Sequence, residues 1–179
     1  MVTVLLIVLG AAAATVVIVA ASKPNTFRVA RSAVIKAEPQ TVFAWVNDFH
    51  KWQAWSPWEK LDPNLQRTYG GADSGLGAVY EWSGNGKAGA GRMEIIEAVP
   101  GARISIRLEF LKPFKATNTA EFVFTPQAAG TRVDWAMFGP QPLPSKLIGT
   151  VFNMDQMIGK DFEAGLNTLK TISEQEPVS

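Results

Sequence analysis

The chain has 179 residues, no cysteine, one histidine (His50), and 17 basic against 16 acidic side chains, a formal charge of +1. These numbers exclude disulfides, thiolate metal sites and His-rich metal sites, and they offer no general electrostatic grip on nucleic acid. With the first twenty or so residues set apart, about 155 remain, the size of a single domain that builds a core without staples.

Residues 2–21, VTVLLIVLGAAAATVVIVAA, carry no charge and no proline. As a helix they span roughly 30 Å, the thickness of a bilayer core. A cleaved signal peptide is the competing reading, and Val19-Ala20-Ala21 is a passable cleavage site. Against it, no Lys or Arg precedes the run, and the run is longer than the usual apolar region of about 7–15 residues. The segment is therefore read as an uncleaved single-pass anchor over residues 1–22, with a domain over 23–179. Lys23, Arg28, Arg31 and Lys36 all follow it, so the positive-inside bias puts the domain on the cytoplasmic side.

Phe27–Ile35 alternates imperfectly between Pro24-Asn25 and Glu38-Pro39 and reads as a strand. Pro39 suits a first helical turn, and Val42, Phe43, Trp45, Val46 and Phe49 follow at helical spacing, predicting a short helix that ends near His50. Next comes KWQAWSPWEKLDP, with Trp52, Trp55 and Trp58 inside seven residues and prolines at 57 and 63. The prolines make it a loop or a one-turn helix. A run of strands follows. Residues 77–84 place Ala78, Tyr80 and Trp82 on one face, and 91–101 place Met93 and Ile95. Residues 102–111 alternate cleanly, with Ile104, Ile106, Leu108 and Phe110 opposite Arg103, Ser105, Arg107 and Glu109. Ala120, Phe122 and Phe124 share a face, as do Val133, Trp135 and Met137. Short connections favour antiparallel hairpins. The sheet then has one apolar and one wet face, and residues 152–175 supply a cover. Met154, Ile158, Phe162, Leu166, Leu169 and Ile172 recur there at three- and four-residue steps, the stripe of a long amphipathic helix.

This order is α+β: a strand, short helices, a run of about six antiparallel strands and a long helix. It resembles the START-like (SRPBCC) superfamily, the polyketide cyclase/dehydrase and lipid-transport group, over about residues 27–175. The resemblance is carried by AEPQTVFAWVNDFHKWQAWSPW, GAVYEWSGNGKAGAGRMEIIEAVPG, LEFLKPF, TRVDWAMFG and GKDFEAGLNTLK in that order. It implies a helix-grip fold: a curved sheet of six to seven strands wrapped on the C-terminal helix, with a deep cavity between them open at one end. Members use such cavities for sterols, phospholipids, quinones, polyketides or plant hormones, and only some are catalysts.

Catalytic chemistry finds few candidates. His50 is either a general base at the cavity mouth or a cation at a helix C-terminus, where the dipole favours it. Asp48, Glu59 and Asp62 surround the tryptophans without a fixed spacing. Residues 84–91, GNGKAGAG, lack the phosphate-loop pattern and are followed by no helix, so they read as a hairpin at the cavity rim. The better-supported role is lining. On the concave face are Tyr80, Trp82, Met93, Ile95, Ile106, Leu108, Phe110, Phe122, Phe124, Trp135 and Met137, answered from the helix by Met154, Ile158 and Phe162. These either line a cavity or fill it. Tyr80 and Asn118 are the polar groups expected to orient a ligand. Trp52, Trp55 and Trp58 either close the cavity end or face the bilayer interface.

The reading is a membrane-anchored binder of an apolar, lipid-like molecule (isoprenoid, quinone or acyl class), with the bilayer as its second partner and no cofactor or metal. Two alternatives stand beside it. One is a polyketide cyclase or dehydratase, which would need an acid/base pair in the cavity. The other is an accessory subunit whose anchor packs on other membrane subunits and whose cavity is filled.

Overall fold

The computed structural model describes residues 1–151 and 153–175. Phe152, where the predicted C-terminal helix begins, and residues 176–179 lie outside the described residues.

Helix α1 (Val2–Ser22) is uncharged, and almost none of it is buried. Strand β1 (Thr26–Ile35) follows after three residues, then α2 (Pro39–Val46) with its proline in the first turn. Two 3₁₀ turns, Phe49–Ala54 and Pro57–Lys60, carry the tryptophan segment. Six strands come next: β2 (Gln66–Gly71), β3 (Ala78–Ser83), β4 (Ala90–Val99), β5 (Arg103–Lys112), β6 (Ala116–Gln127) and β7 (Gly130–Pro140). Helices α3 (Leu143–Val151) and α4 (Met154–Gln175) complete the chain. The seven strands form one antiparallel sheet, ordered β1-β7-β6-β5-β4-β3-β2.

One predicted boundary is corrected and one strand is added. The first short helix ends at Val46 rather than near His50. His50 belongs to the next 3₁₀ turn, whose N-cap Asp48 accepts the His50 backbone N–H at 2.9 Å. His50 therefore sits at the start of a 3₁₀ turn and not at a helix C-terminus. Strand β2, which completes the sheet, is an added element. Its burial pattern is mostly exposed, so it carries little apolar alternation to read.

The register explains the one-sided core. Phe122 pairs with Trp135 and with Ile104, Ile106 with Ile95 and Ala120, Leu108 with Met93 and Asn118. Every one of these points to the same face because side chains alternate along a strand. A bulge at Ile95–Glu97 adds twist near the end of β4. Helix α4 crosses that face, burying Phe162, Leu166 and Leu169, with Gly159, Gly165 and Ser173 on the same stripe. Gly165 is needed: a Cβ there would sit 2.8 Å from Trp135 Cζ3 and 3.1 Å from Pro57 Cδ. The stripe starts later than predicted. Met154 is 39% exposed in the first turn of α4 and is not part of the packed core.

The imperfect alternation of β1 also finds its cause. Arg31 falls on the inward face, and α4 receives it with Asp155, Gly159 and Glu163, one turn apart. Its Nε donates to Glu163 Oε1 at 2.8 Å, and its Nη2 to Asp155 Oδ2 at 3.1 Å. A side chain at Gly159 would collide with the guanidinium.

Candidate functional site

The strand ends define two rims. One rim holds the start of β1, the end of β7, the start of β6, the end of β5, the start of β4 and the end of β3. Because α1 ends at Ser22 and β1 starts at Thr26, α1 leaves the domain at this rim, within about 14 Å of it. We call it the proximal rim.

The inner face is completely buried at its middle, and its burial falls off toward the proximal rim. Ile95, Ile106 and Phe122 are 0% exposed, and Phe124 and Tyr80 are 3% exposed. One step toward the rim, Met93, Leu108, Asn118 and Met137 are 8, 9, 8 and 7% exposed. At the rim itself Phe27, Trp82 and Phe110 are half-buried, as is Ile158 on α4. Two surface grooves open on this rim. One, of about 380 Å³, lies between the β3–β4 and β5–β6 hairpins; the other, of about 510 Å³, lies between the start of β1 and the end of β7.

Aromatic side chains make the seal. Trp135 stacks on Phe162 at 4.1 Å and on Phe122 at 4.8 Å. Trp55 and Trp58 meet Trp135 edge-on at 5.6 and 5.5 Å, the geometry that the ring quadrupole favours. Trp52 and Trp55 are buried and have a second task. Their indole N–H groups donate to Val46 O at 2.9 Å and Trp45 O at 3.2 Å. These are the last carbonyls of α2, which have no partner within the helix. The cluster therefore ties the end of α2 to the core while burying two large rings and half-burying a third. Trp135 Nε1 itself is buried without a hydrogen-bond partner.

Sequence reasoning missed one buried polar network. Glu59, from the second 3₁₀ turn, accepts the Tyr80 hydroxyl at 2.6 Å and Arg67 Nε at 2.7 Å. Burial, then the Glu59 hydrogen bond, pushes the Tyr80 phenol well above its ordinary range, and the same carboxylate raises Arg67. The only legible signal was that Arg67 and Tyr69 alternate in phase with Tyr80 across the strand pair. Each Glu59 oxygen holds one donor, and the Tyr80 hydroxyl proton is committed to Glu59. Asp62, also buried, accepts the backbone N–H groups of Asn64 and Asn85. His50 stacks on Tyr69 at 4.1 Å and contacts Asp48 Oδ1 through Nδ1 at 3.0 Å. Among the described residues no three His, Cys, Asp or Glu are placed to share a metal ion. Asn118 remains the polar group at the opening, packed against Gly139.

The family model described as "Polyketide cyclase / dehydrase and lipid transport" matches residues 26–174. No curated protein matches the sequence. Among solved structures, protein CV1439 from Chromobacterium violaceum is 18% identical, with TM-score 0.59, over 86% of this chain and 100% of its own. The di-domain ARO/CYC BexL from the BE-7585A biosynthetic pathway is 16% identical, with TM-score 0.63, over 90% of this chain and 54% of its own. The di-domain ARO/CYC StfQ from the steffimycin biosynthetic pathway is 11% identical, with TM-score 0.62, over 84% and 51%. At these identities the likeness concerns the fold; in the two di-domain proteins the chain spans about half the length.

Proposed function

The chain belongs to the polyketide cyclase / dehydrase and lipid transport family, and on that premise we propose that it is a membrane-anchored binding protein for an apolar, lipid-like small molecule of the isoprenoid, quinone or acyl class. The observation that carries this reading is one of direction: burial of the inner face falls off toward the same rim from which the apolar helix α1 departs. A ligand dissolved in the bilayer would meet the opening without crossing bulk water. Tethering through residues 2–21 raises the local concentration of the site at the membrane, and the basic residues after α1 favour a cytoplasmic domain.

In this reading the apolar part of the ligand lies against Met93, Leu108, Phe110, Met137 and Ile158. Methionine side chains adapt to irregular shapes. The Asn118 amide takes the polar end, since an amide both donates and accepts. The Trp135–Phe162 stack forms the floor, so the ligand enters only the outer part of the fold and its remainder stays in the bilayer. Catalysis is disfavoured: both oxygens of each buried carboxylate, Glu59 and Asp62, are engaged in hydrogen bonds that hold the fold together, a structural assignment for both.

The same aromatic floor favours a second reading, an accessory subunit with a filled interior whose α1 packs on other membrane proteins. Native mass spectrometry of the full-length protein, released gently from its own membrane, separates the two. One apolar molecule per chain supports the binding protein. An empty chain that leaves the membrane attached to other proteins rejects it and supports the subunit.

A further inference from the structure

The proximal rim carries a feature that ligand binding does not require. The turn between β5 and β6 reads Lys112-Pro113-Phe114-Lys115, and Phe114 at its tip is 74% exposed. Leu111 beside it is 53% exposed. An exposed phenylalanine flanked by two lysines serves no core, and its place in the fold decides what it meets. Lys112 pairs with Ala90 and Phe110 with Ala116, so this hairpin ends on the proximal rim. The neighbouring β3–β4 hairpin ends there too and adds exposed Lys87. Residues 84–91 and 110–119 contain no acidic side chain, so the two tips present three positive charges and one aromatic ring on the side where α1 leaves. The groove of about 380 Å³ between the hairpins is bordered by Lys112 and the glycines of the β3–β4 turn.

We propose that the β5–β6 hairpin is a membrane-docking tip: Phe114 enters the interface of an anionic leaflet while Lys112, Lys115 and Lys87 meet lipid headgroups. The proposal rests on α1 spanning the bilayer. Helix α1 fixes one point of the domain at the membrane, and the hairpin supplies a second on the far side of the opening. The three-residue connection is itself held by α3, where Lys146 Nζ donates to Lys23 O and Asn25 Oδ1 and Lys23 Nζ donates to Gly149 O. The second point on the hairpin fixes the remaining tilt, so the opening faces lipid. Aromatic rings favour the interfacial layer, and each lysine close to an anionic surface shifts the docked population by about fivefold.

The absence of cysteine makes the test direct. Phe114→Cys and Ala128→Cys, the latter in the β6–β7 turn at the opposite rim, are labelled with an environment-sensitive NBD dye. The full-length protein is reconstituted in vesicles of phosphatidylcholine with and without phosphatidylglycerol. The expected result is a blue shift and a rise in emission for position 114 in anionic vesicles, none for position 128, and loss of the shift when Lys112→Gln and Lys115→Gln are added. Position 114 reporting water in anionic vesicles, while the protein resists alkaline extraction, overturns the docking tip and leaves the anchor standing. Protein washed from the vesicles by alkali overturns the anchor, and the docking tip with it.

Discussion

Trp135 tests whether the inner face is closed as described. It is 2% exposed, stacked on two rings and met edge-on by two more, and its indole N–H has no partner. Trp135→Ala removes the ring from a site that cannot collapse and costs about 3–5 kcal/mol. For a domain of this size that lowers Tm by roughly 10 °C. Trp135→Phe is different. It keeps a ring in the stack and loses a few carbons, about 1–2 kcal/mol by area. It also removes a buried N–H whose lack of a partner costs about 1–3 kcal/mol. The two effects oppose, so Trp135→Phe is expected to lie within about 1 kcal/mol of the parent by the same reckoning. Thermal unfolding of the full-length protein in micelles, followed by circular dichroism, measures both. If Trp135→Phe proves as damaging as Trp135→Ala, the N–H has a partner, such as an enclosed water or a ligand group. The floor would then not be dry, and the reasoning would fail.

Gly165→Ala places a methyl against the rigid Trp135 ring and Pro57, whereas Gly159→Ala meets only the movable end of Arg31. Both gain about 1 kcal/mol of helix propensity, so Gly165→Ala should be less stable than Gly159→Ala by about 1–2 kcal/mol in unfolding experiments. Glu59→Leu leaves the buried Tyr80 hydroxyl without its acceptor, while Arg67, part-exposed, keeps the Leu65 carbonyl; it should cost about 1–3 kcal/mol, read in the same way. The Arg31 hydrogen bond holds the Asp155 carboxyl below its ordinary value, and the Lys36 backbone N–H does the same for Glu174. A depressed folded pKa means the contribution is complete above the ordinary carboxylate value near 4 and is lost as pH falls through the lowered values. The drop in Tm between pH 7 and pH 3 should therefore shrink in Asp155→Asn with Glu174→Gln, modestly because both groups are exposed; an unchanged drop would contradict the assignment. Asn118→Leu should leave Tm nearly unchanged and weaken retention of a bound apolar molecule about five- to tenfold, the worth of one hydrogen bond.

What was legible in the sequence followed from periodicity. Residues 102–111 alternate without interruption because one face is wholly buried and the other wet, and β5 forms there. Strand β2 was illegible because an edge strand ending in Gly70-Gly71 offers only Arg67 and Tyr69 to the inner face. The break in β1 was visible as an imperfection, but its meaning lay 128 residues away, at Gly159. Proximity in sequence suggested a tryptophan cluster. Its division of labour between capping α2 and flooring the inner face depended on where the carbonyls of Trp45 and Val46 end. Met154 fits the helical stripe by spacing, yet it is 39% exposed in the first turn, where Asp155 beside it engages Arg31 of β1. The grading of exposure toward the proximal rim needed the register of all the strands, and no local pattern encodes it.

The central claim is that an apolar molecule from the bilayer enters at the proximal rim. Photolabelling in native membranes tests it most directly, using a lipid-like probe with a diazirine at the end of an acyl chain and mapping adducts by peptide mass spectrometry. Adducts are expected on Met137, Leu108, Phe110 and Ile158, competed by unlabelled apolar ligand and reduced by Ala120→Trp, which fills the opening. Adducts confined to α1, with the inner face unlabelled, would contradict it.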